Sequence, residues 1–378
     1  MQNQISQAVD KHRDDIVNTY TDLHAIPEWG YQEFKTAAYI KAQLKEAGIS
    51  VRDVTETGFI AELKGTEDGP TVGLRADIDA LPYKNEAGET YYVHACGHDA
   101  HATIGLWTIR TLKELNLIRK GNIQVIFQPA EELLTGAKTM IEAGAGNDLD
   151  ELYGLHLRPI HDARLGQAAS ALLHNSSGAA EVTFSGRAAH GSRPHLGVNA
   201  IDAAAMATLG INCLWANPID SWSAKVTKIA GGGIATNIIP DRAVITIDMR
   251  GQDNKTMDEI LSKVKTACKH GAAAVGAEAE IKLLSMVPTS SYTPETMANL
   301  EAAISAVLGS DNLLEPIPTS GGDDFHEFKV AYPELKTAFL CLGADLTPGL
   351  HDPTMTFDKE ALFIGTKILA LAIAQRLS

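Results

Sequence analysis

Three histidines, one cysteine and one aspartate stand within the twelve residues "HACGHDAHATIG", from His94 to Gly105. Cysteine, histidine and carboxylate side chains are the usual ligands of zinc, and a catalytic zinc site keeps one position open for water. A short His-rich tract can also be a solvated loop. The tract therefore predicts a metal centre only if other segments of the chain supply further ligands.

Matching residues occur near the ends of other apolar segments. Glu132 in "QPAEE", His156 in "GLHL" and His351 join Cys96 and His98 as candidate ligands. Taken alone, Cys96 could be a buried thiol and His156 a core histidine. Five ligands of mixed N, O and S type exceed the needs of one tetrahedral ion, and they suit two metal ions that share a bridging ligand or water.

Two adjacent glutamates, Glu131 and Glu132, stand in "PAEE". Neighbouring side chains do not project in the same direction, so the two can do different work. One can bind metal while the other acts as a general base on the attacking water. A solvated surface pair is the competing interpretation for these two residues alone.

The elements that must position these residues alternate between apolar strands and helical segments. This alternation predicts an α/β fold with a mixed, mostly parallel sheet and helices on both faces. Ligands of such sheets lie beyond the carboxyl ends of the strands. The polar segments expected to converge there, beside a helix over His101–Leu117, are "RADID", "PAEE" and "LHLRP".

The pattern changes near residue 179. From there to residue 288 the order is strand, helix, strand, strand, helix, strand, which is typical of a ferredoxin-like α+β unit. We therefore expect an α/β domain over 1–178 and 289–378, interrupted by an inserted smaller domain over 179–288, for which the resemblance given below implies a lid or dimerisation role.

Composition excludes several classes of protein. The net charge of -15 disfavours nucleic acid and anionic membranes as partners, because both require a basic surface. No segment approaches the ~18 consecutive apolar residues of a membrane span. The polar amino terminus and four widely spaced cysteines predict a cytoplasmic protein with reduced thiols.

The order of several motifs resembles one metallopeptidase family, the aminoacylase and carboxypeptidase family. The similar branch is that of hippurate hydrolase, N-acetyl-diaminopimelate deacetylase and the plant auxin-conjugate amidohydrolases. The resemblance covers nearly the whole chain and implies a dinuclear metal centre and an inserted lid that often mediates dimerisation. The motifs are "RADIDALP", "HACGHDAHATIG", "QPAEE", "GLHL", "FSGRAAHGSRPHLGVNAIDAA", "TNIIPDRAVITIDMR" and "GGDDFHEF".

The resemblance implies roles for individual residues. Glu131 corresponds to the general base of the family. The mixed donor set permits two divalent ions per chain, Zn or Mn above all, with Co or Ni also permitted. The residues that correspond to the metal ligands are Cys96, His98, Glu132, His156 and His351.

Other positions carry less specific roles. Asp77 corresponds to an aspartate that orients a metal-binding histidine in related branches, but Arg75 stands where those branches have that histidine. His190 matches a lid histidine that polarises the scissile carbonyl. Asn237 and Arg250 lie where relatives bind the substrate carboxylate, and a structural salt bridge is the alternative for Arg250.

The sequence therefore predicts a metal-dependent amidohydrolase that cleaves N-acyl amino acids and forms a homodimer through the lid. A metallo-dipeptidase or carboxypeptidase and, more distantly, a non-enzymatic metal-binding module are the alternatives. Two motifs depart from the family, "LLTGA" after "PAEE" and "GGDDFHEF", so acyl and amino-acid preference does not transfer. The histidines expected to support the site or lie on the surface are His94, His101, His195 and His326.

Overall fold

A computed structural model describes residues 1–319 and 321–378. The helices among these residues are α1 (Gln2–Lys11), α2 (Arg13–His24), α3 (Phe34–Glu46), α4 (His98–Glu114), α5 (Gly136–Glu142), α6 (Ala200–Asn212), α7 (Asn254–Ala274), α8 (Pro294–Leu308), α9 (His326–Ala331) and α10 (Glu360–Leu377). The strands are β1 (Ser50–Asp53), β2 (Phe59–Lys64), β3 (Glu67–Asp77), β4 (Leu81–Lys84), β5 (Thr90–Val93), β6 (Lys120–Gln128), β7 (Glu151–Pro159), β8 (Ala168–Ala169), β9 (Leu172–His174), β10 (Ser176–Ser185), β11 (Ala189–His190), β12 (Trp222–Gly231), β13 (Ile238–Ile239), β14 (Arg242–Gly251), β15 (Glu278–Val287), β16 (Ile317–Thr319) and β17 (Lys336–Leu346).

The chain forms two compact units. The first contains Met1–Leu173, Ser291–Thr319 and Asp323–Ser378, and the second has His174–Ser290 as its body. The insertion expected over 179–288 lies within the second unit, whose ends fall a few residues outside the expected ones.

The first unit is built on a seven-stranded sheet with the order β1-β2-β6-β3-β7-β17-β8 among the described residues. Its four central strands, β6, β3, β7 and β17, run parallel to one another, and antiparallel strands flank them. Central parallel strands are covered on both faces, and every residue of β7 is accordingly buried. The predicted mixed, mostly parallel sheet is therefore confirmed.

Helices cover both faces of this sheet. In β6, Val125 and Phe127 belong to the core that contains the buried residues of α4 and α10. Ile126, which points to the opposite face, packs in a second core with Met140 of α5 and Phe328 of α9. Complete burial of a side chain of this size stabilises the fold by roughly 1.5–3 kcal/mol.

The helix α4 begins three residues earlier in the sequence than expected. The sequence indicated a helix over His101–Leu117, but α4 starts at His98, directly after Gly97. The φ of +92° at Gly97 lies in the left-handed region that glycine adopts without strain, so the chain turns sharply into the helix. His98 therefore projects from the first helical turn rather than from a loop.

The second unit contains a four-stranded antiparallel sheet with the order β12-β14-β10-β15. Along the chain its elements run β10-α6-β12-β14-α7-β15, which is the split βαβ arrangement of ferredoxin-like folds. The helices are capped locally, since Asn199 accepts the N–H of Ile201 and Asp253 accepts that of Thr256.

Within the part of the chain that the structure describes, no helix is long and apolar enough to cross a membrane. The four cysteines are all free thiols, and Cys213 alone among them is exposed.

Candidate metal centre

The five predicted ligands come together at the carboxyl edge of the central sheet. Parallel strands end at a common edge, so residues distant in sequence meet there. Their positions are the turn before α4 for Cys96, the first residue of α4 for His98, the turn after β6 for Glu132, strand β7 for His156 and the segment after β17 for His351.

The ligand atoms form two groups that share one residue. Those of Cys96, His98 and His156 lie within 4.8 Å of one another, and so do those of Cys96, Glu132 and His351. A thiolate common to two groups of three ligands suits a pair of ions with a shared ligand. The geometry thus matches the dinuclear centre that the five-residue set predicts.

The imidazole of His98 is held in the tautomer that binds metal. Its Nδ1 lies 3.0 Å from Oδ1 and 3.1 Å from the backbone oxygen of Asp79, so it donates to them. The buried Nε2 has no hydrogen-bond partner. A histidine ligand usually donates its other N–H in this way, which leaves its lone pair for the metal. The unpartnered nitrogen therefore fits a divalent cation.

His156 presents the same arrangement. Its Nδ1 donates to the backbone oxygen of Leu157 at 2.6 Å, and its Nε2 lies 3.4 Å from Sγ of Cys96. Two ligand atoms on one tetrahedral zinc are about 3.5 Å apart, given bond lengths near 2.1 and 2.3 Å. Burial, followed by the neighbouring His101 and Arg158, lowers the pKa of His156, so the neutral ring that binds metal is favoured.

Glu132 and His351 face each other at the more open side of the site. Oε1 of Glu132 lies 3.4 Å from Nε2 of His351, whose side chain is 55% exposed. The hydrogen bond to Glu132 raises the pKa of His351. The φ of His351 is +63°, a strained value for a residue other than glycine, and its N–H donates to the oxygen of Ala95 at 2.7 Å.

Glu131 is not one of the five predicted ligands, but its carboxylate lies within 4.8 Å of the ligand atoms of His98 and Glu132. Its Oε2 is 3.8 Å from Nε2 of His98. Burial raises the pKa of Glu131, and the nearby carboxylates of Asp323 and Glu132 raise it further. A carboxylate with a raised pKa is a stronger base towards the proton of an attacking water, which suits general-base catalysis.

Asp77 lies in a fully buried network beneath the ligands. Its Oδ1 is 2.6 Å from Nδ1 of His101, its other oxygen pairs with Arg75, and Nε2 of His98 is 3.8 Å away. Arg75 also donates to Asp324 at 2.6 Å. The aspartate hydrogen-bonded to the candidate ligand His98 is therefore Asp79, whereas Asp77 contacts the neighbouring histidine.

The other predicted substrate contacts belong to the second unit. His190 pairs with Ile238 in the β11–β13 ladder, next to the exposed Asn237. Nδ1 of His190 accepts the backbone N–H of Ser192 at 3.1 Å, so its proton sits on Nε2. Arg250 is half-exposed and forms an ion pair with Asp248 at 2.9 Å. That pair is the salt bridge given above as the alternative for Arg250.

Residues 73–375 match the sequence model of peptidase family M20/M25/M40. The chain is a member of this family. It is therefore a metal-dependent hydrolase of linear amide C–N bonds, as the motifs predict.

Two relatives of this M20 peptidase are deacetylases of N-acetylated amino acids by name. The N-acetylcysteine deacetylase of Bacillus subtilis (strain 168) is 31% identical, with 94% of this chain and 95% of that protein covered. The N-acetyldiaminopimelate deacetylase of Streptococcus thermophilus (strain CNRZ 1066) is also 31% identical, over 92% and 95%. A solved Bacillus subtilis dinuclear metal-binding peptidase of the M20 family is 28% identical, has a TM-score of 0.79, and is matched over 97% and 99%.

The sequence does not single out Asp79, which contacts two of the candidate ligands. Asp79 is the second carboxylate of "RADID", and its spacing from Asp77 at a strand end is the signal for a second functional aspartate. His101, which we expect to support the site or lie on the surface, is buried, and both its nitrogens are bonded, since Nδ1 lies 2.6 Å from Asp77 and Nε2 accepts the N–H of Leu157 at 3.0 Å. Its i+3 spacing from His98 on one helix face was the available signal.

Support or surface roles for His94, His195 and His326 stay predictions. His94 and His326 are buried, and His195 is exposed.

Proposed function

We propose that this M20 peptidase hydrolyses N-acyl amino acids to a carboxylate and a free amino acid. The observation that carries the proposal is the buried Glu131 carboxylate 3.8 Å from the unpartnered nitrogen of His98, next to two groups of ligand atoms. A base beside ligands serves hydrolysis, whereas storage of metal requires ligands alone. The names of the two deacetylase relatives support this class of substrate.

We propose two divalent ions per chain, zinc or manganese, with cobalt or nickel as substitutes. Cys96 would be the residue shared between them, with His98 and His156 on one ion and Glu132 and His351 on the other. Bound metal supplies Lewis acidity, which lowers the pKa of water from ~15.7 to about 7.

Glu131 then takes the proton of the attacking water and later passes it to the nitrogen of the leaving amine. The new C–O bond forms first, and the acyl C–N bond breaks when the amine nitrogen receives the proton, so one water molecule is consumed for each carboxylate and amine produced. In this scheme Asp77 holds His101 through a hydrogen bond and does not touch the substrate, so it is a positioning residue.

The second unit would supply the groups that hold the substrate. The N–H at Nε2 of His190 can donate to the oxygen that becomes negative in the transition state, a contact worth ~3–4 kcal/mol in other enzymes. Asn237 and Arg250 would bind the α-carboxylate of the amino acid. Arg250 already holds the carboxylate of Asp248 through two nitrogens, so its guanidinium is geometrically able to grip such a group.

We also propose that the enzyme is a homodimer through its second unit. Strand β12 lies at one end of its sheet, which leaves an edge for a partner. Met206 and Leu209 on α6 are 45% and 60% exposed, and Trp215 shortly after it is 80% exposed. Light scattering should give about twice the 40.4 kDa of one chain.

The test of the activity is a substrate panel. Purified protein loaded with Zn or Mn is incubated with N-acetyl and N-benzoyl amino acids beside dipeptides, with and without chelator, and amine release is measured. Release from the N-acyl amino acids that chelator abolishes supports the proposal. Release from dipeptides alone would replace it with the dipeptidase alternative, and activity retained in chelator would exclude metal catalysis.

A further inference from the structure

Glu33 is a fully buried carboxylate in the first unit, remote in sequence from every predicted ligand. It immediately precedes α3 and has no exposed surface. Its Oε2 accepts the hydroxyl of Thr57 at 2.8 Å, and its Oε1 accepts the backbone N–H of Ala130 at 2.9 Å. A buried carboxylate is costly unless its oxygens are hydrogen-bonded, so these contacts account for its presence.

The contact to Ala130 reaches the turn that carries the two active-site glutamates. Ala130 has a φ of +54°, in the left-handed region that residues other than glycine rarely adopt. Strained backbone of this kind persists only where the surroundings fix it. The contact from Glu33 is one such restraint on the turn.

Three further features fix the turn. The backbone oxygen of Ala130 accepts the N–H of Gly136 at 3.2 Å, and the N–H of Glu132 donates to Oδ2 of Asp79 at 3.0 Å. A Cβ at Gly30 would lie 3.1 Å from Cα of Ala130, so the segment before Glu33 packs directly on the turn. Glu131 thus lies between two backbone amides that each donate to a buried carboxylate.

We propose that Glu33 is a positioning residue that fixes the Pro129–Glu132 turn through the N–H of Ala130 and so sets the directions of the Glu131 and Glu132 side chains. Glu33 does not touch the candidate ligands. It acts through backbone, and its function as a restraint rests on the hydrolytic function proposed above.

This role depends on the length of the side chain at position 33 rather than on its charge. Burial raises the pKa of Glu33 to about 7, with a further contribution from Asp79. Once protonated, the carboxyl can donate to the Thr57 hydroxyl and keep an oxygen for Ala130. Glutamine has the same shape and the same donor and acceptor. Aspartate keeps the charge but is one methylene too short to reach both partners.

The experiment compares Glu33→Gln with Glu33→Asp in the full-length protein. Two properties are measured, kcat and KM for an N-acetyl amino acid, and the affinity and visible spectrum of Co²⁺ added to metal-free protein. Loss of a residue that supports metal ligands typically lowers activity or metal affinity by about 10–100-fold. We expect that loss in kcat and Co²⁺ affinity for Glu33→Asp, with KM little changed, and wild-type values for Glu33→Gln.

The matched control is Glu28→Asp. Glu28 lies in the same segment, and its carboxylate accepts the N–H groups of Lys35 and Thr36 at 2.9 Å rather than that of Ala130. Its shortening should lower thermal stability and leave kcat and the Co²⁺ spectrum unchanged.

Two results would overturn the proposal: wild-type kcat and Co²⁺ binding in Glu33→Asp, or a loss in Glu33→Gln as large as in Glu33→Asp. If Glu33→Asp does not fold, Glu33→Gln decides alone, since the isostere must retain both properties. If the wild-type enzyme releases no amine from any N-acyl amino acid, the proposed function fails, and the Co²⁺ measurements still test Glu33.

Discussion

Nδ1 of His98 lies 3.0 Å from one carboxylate oxygen of Asp79, and the other oxygen of Asp79 accepts the backbone N–H of Glu132 at 3.0 Å. One buried carboxylate therefore fixes two candidate ligands from different segments, the start of α4 and the turn after β6. Because metal affinity depends on ligands held in place before the ion arrives, Asp79 couples the two halves of the centre.

Asp79→Asn should weaken metal binding. The amide keeps one acceptor for His98, but its NH₂ group faces the N–H of Glu132, so two donors meet. We expect metal affinity to fall by about 10–100-fold, measured by competition with a chelator. The control is Asp53→Asn, because Asp53 is exposed and pairs with Lys41. Unchanged metal affinity in Asp79→Asn would show that the contacts of Asp79 to His98 and Glu132 do not contribute to metal binding.

Substitution of the two adjacent glutamates, Glu131 and Glu132, should have different effects on metal content and turnover. Glu131→Gln removes the base and leaves the ligands, so metal content should stay at the wild-type level while kcat falls by about 10²–10⁴-fold. Glu132→Gln should instead lower metal content. Elemental analysis and steady-state kinetics on both variants check this, and an active Glu131→Gln enzyme would mean that the base is another residue.

The buried cation Arg75 should matter greatly for stability. It pairs with Asp77 and Asp324, and the side chain has no exposed surface. Arg75→Met leaves those carboxylates without their cation, and breaking a buried pair costs about 3–5 kcal/mol in free energy of unfolding.

The control for this prediction is Arg119→Met. Arg119 is 67% exposed and pairs with Glu67 at 3.3 Å, so the change should cost about 0–1 kcal/mol. Urea unfolding of both variants in chelator gives the two values. Equal losses would mean that the buried network does not stabilise the fold.

Glu33 should make stability depend on pH. Its pKa is raised to about 7 by burial and Asp79, whereas an unfolded glutamate titrates near ~4.3. Between these values the folded chain binds more protons, so wild-type stability declines as pH rises. Glu33→Gln lacks this decline. Its free energy of unfolding relative to wild type should grow by up to about 3 kcal/mol from pH 4 to pH 7, measured in chelator. If the free energies of unfolding of wild type and Glu33→Gln changed in parallel with pH, the raised pKa of Glu33 would be contradicted.

His190→Ala should reduce kcat strongly and leave metal content unchanged, because the contact forms mainly in the transition state. If the histidine acts across a dimer, mixing inactive His190→Ala and Glu131→Gln chains should restore part of the activity, since each heterodimer has one site with both groups intact. No recovery despite subunit exchange proven by mass spectrometry would place His190 in the site of its own chain.

The candidate metal ligands could be selected from the sequence because their chemistry is visible in the residue types. Cys96, His98 and Glu132 stand in short motifs, and the alternation of strands and helices placed those motifs at one edge of a parallel sheet. The start of α4 was predicted three residues too late, because helical periodicity does not report the left-handed turn at Gly97 that precedes His98.

The residues that position the ligands were not predictable in the same way. Glu33 is one of 47 acidic residues, and nothing local distinguishes it from solvated ones, whereas the spacing of Asp79 from Asp77 indicates a functional position without revealing its partners. Their functions arise from partners that only folding brings near: Ala130, 97 residues from Glu33, and Glu132, 53 residues from Asp79. Burial then makes those contacts energetically decisive, since an unpaired polar group is costly where water is excluded.

The sequence by itself determined which side chains can bind metal, which order of elements carries them, and which family the motifs resemble. Only the tertiary structure decided that Cys96 belongs to both groups of ligand atoms, that Asp79 rather than Asp77 holds His98, and that Arg75 neutralises buried aspartates. The physical reason is that coordination and hydrogen bonding depend on distances of a few ångströms between segments. Local sequence preferences set the elements but not those distances.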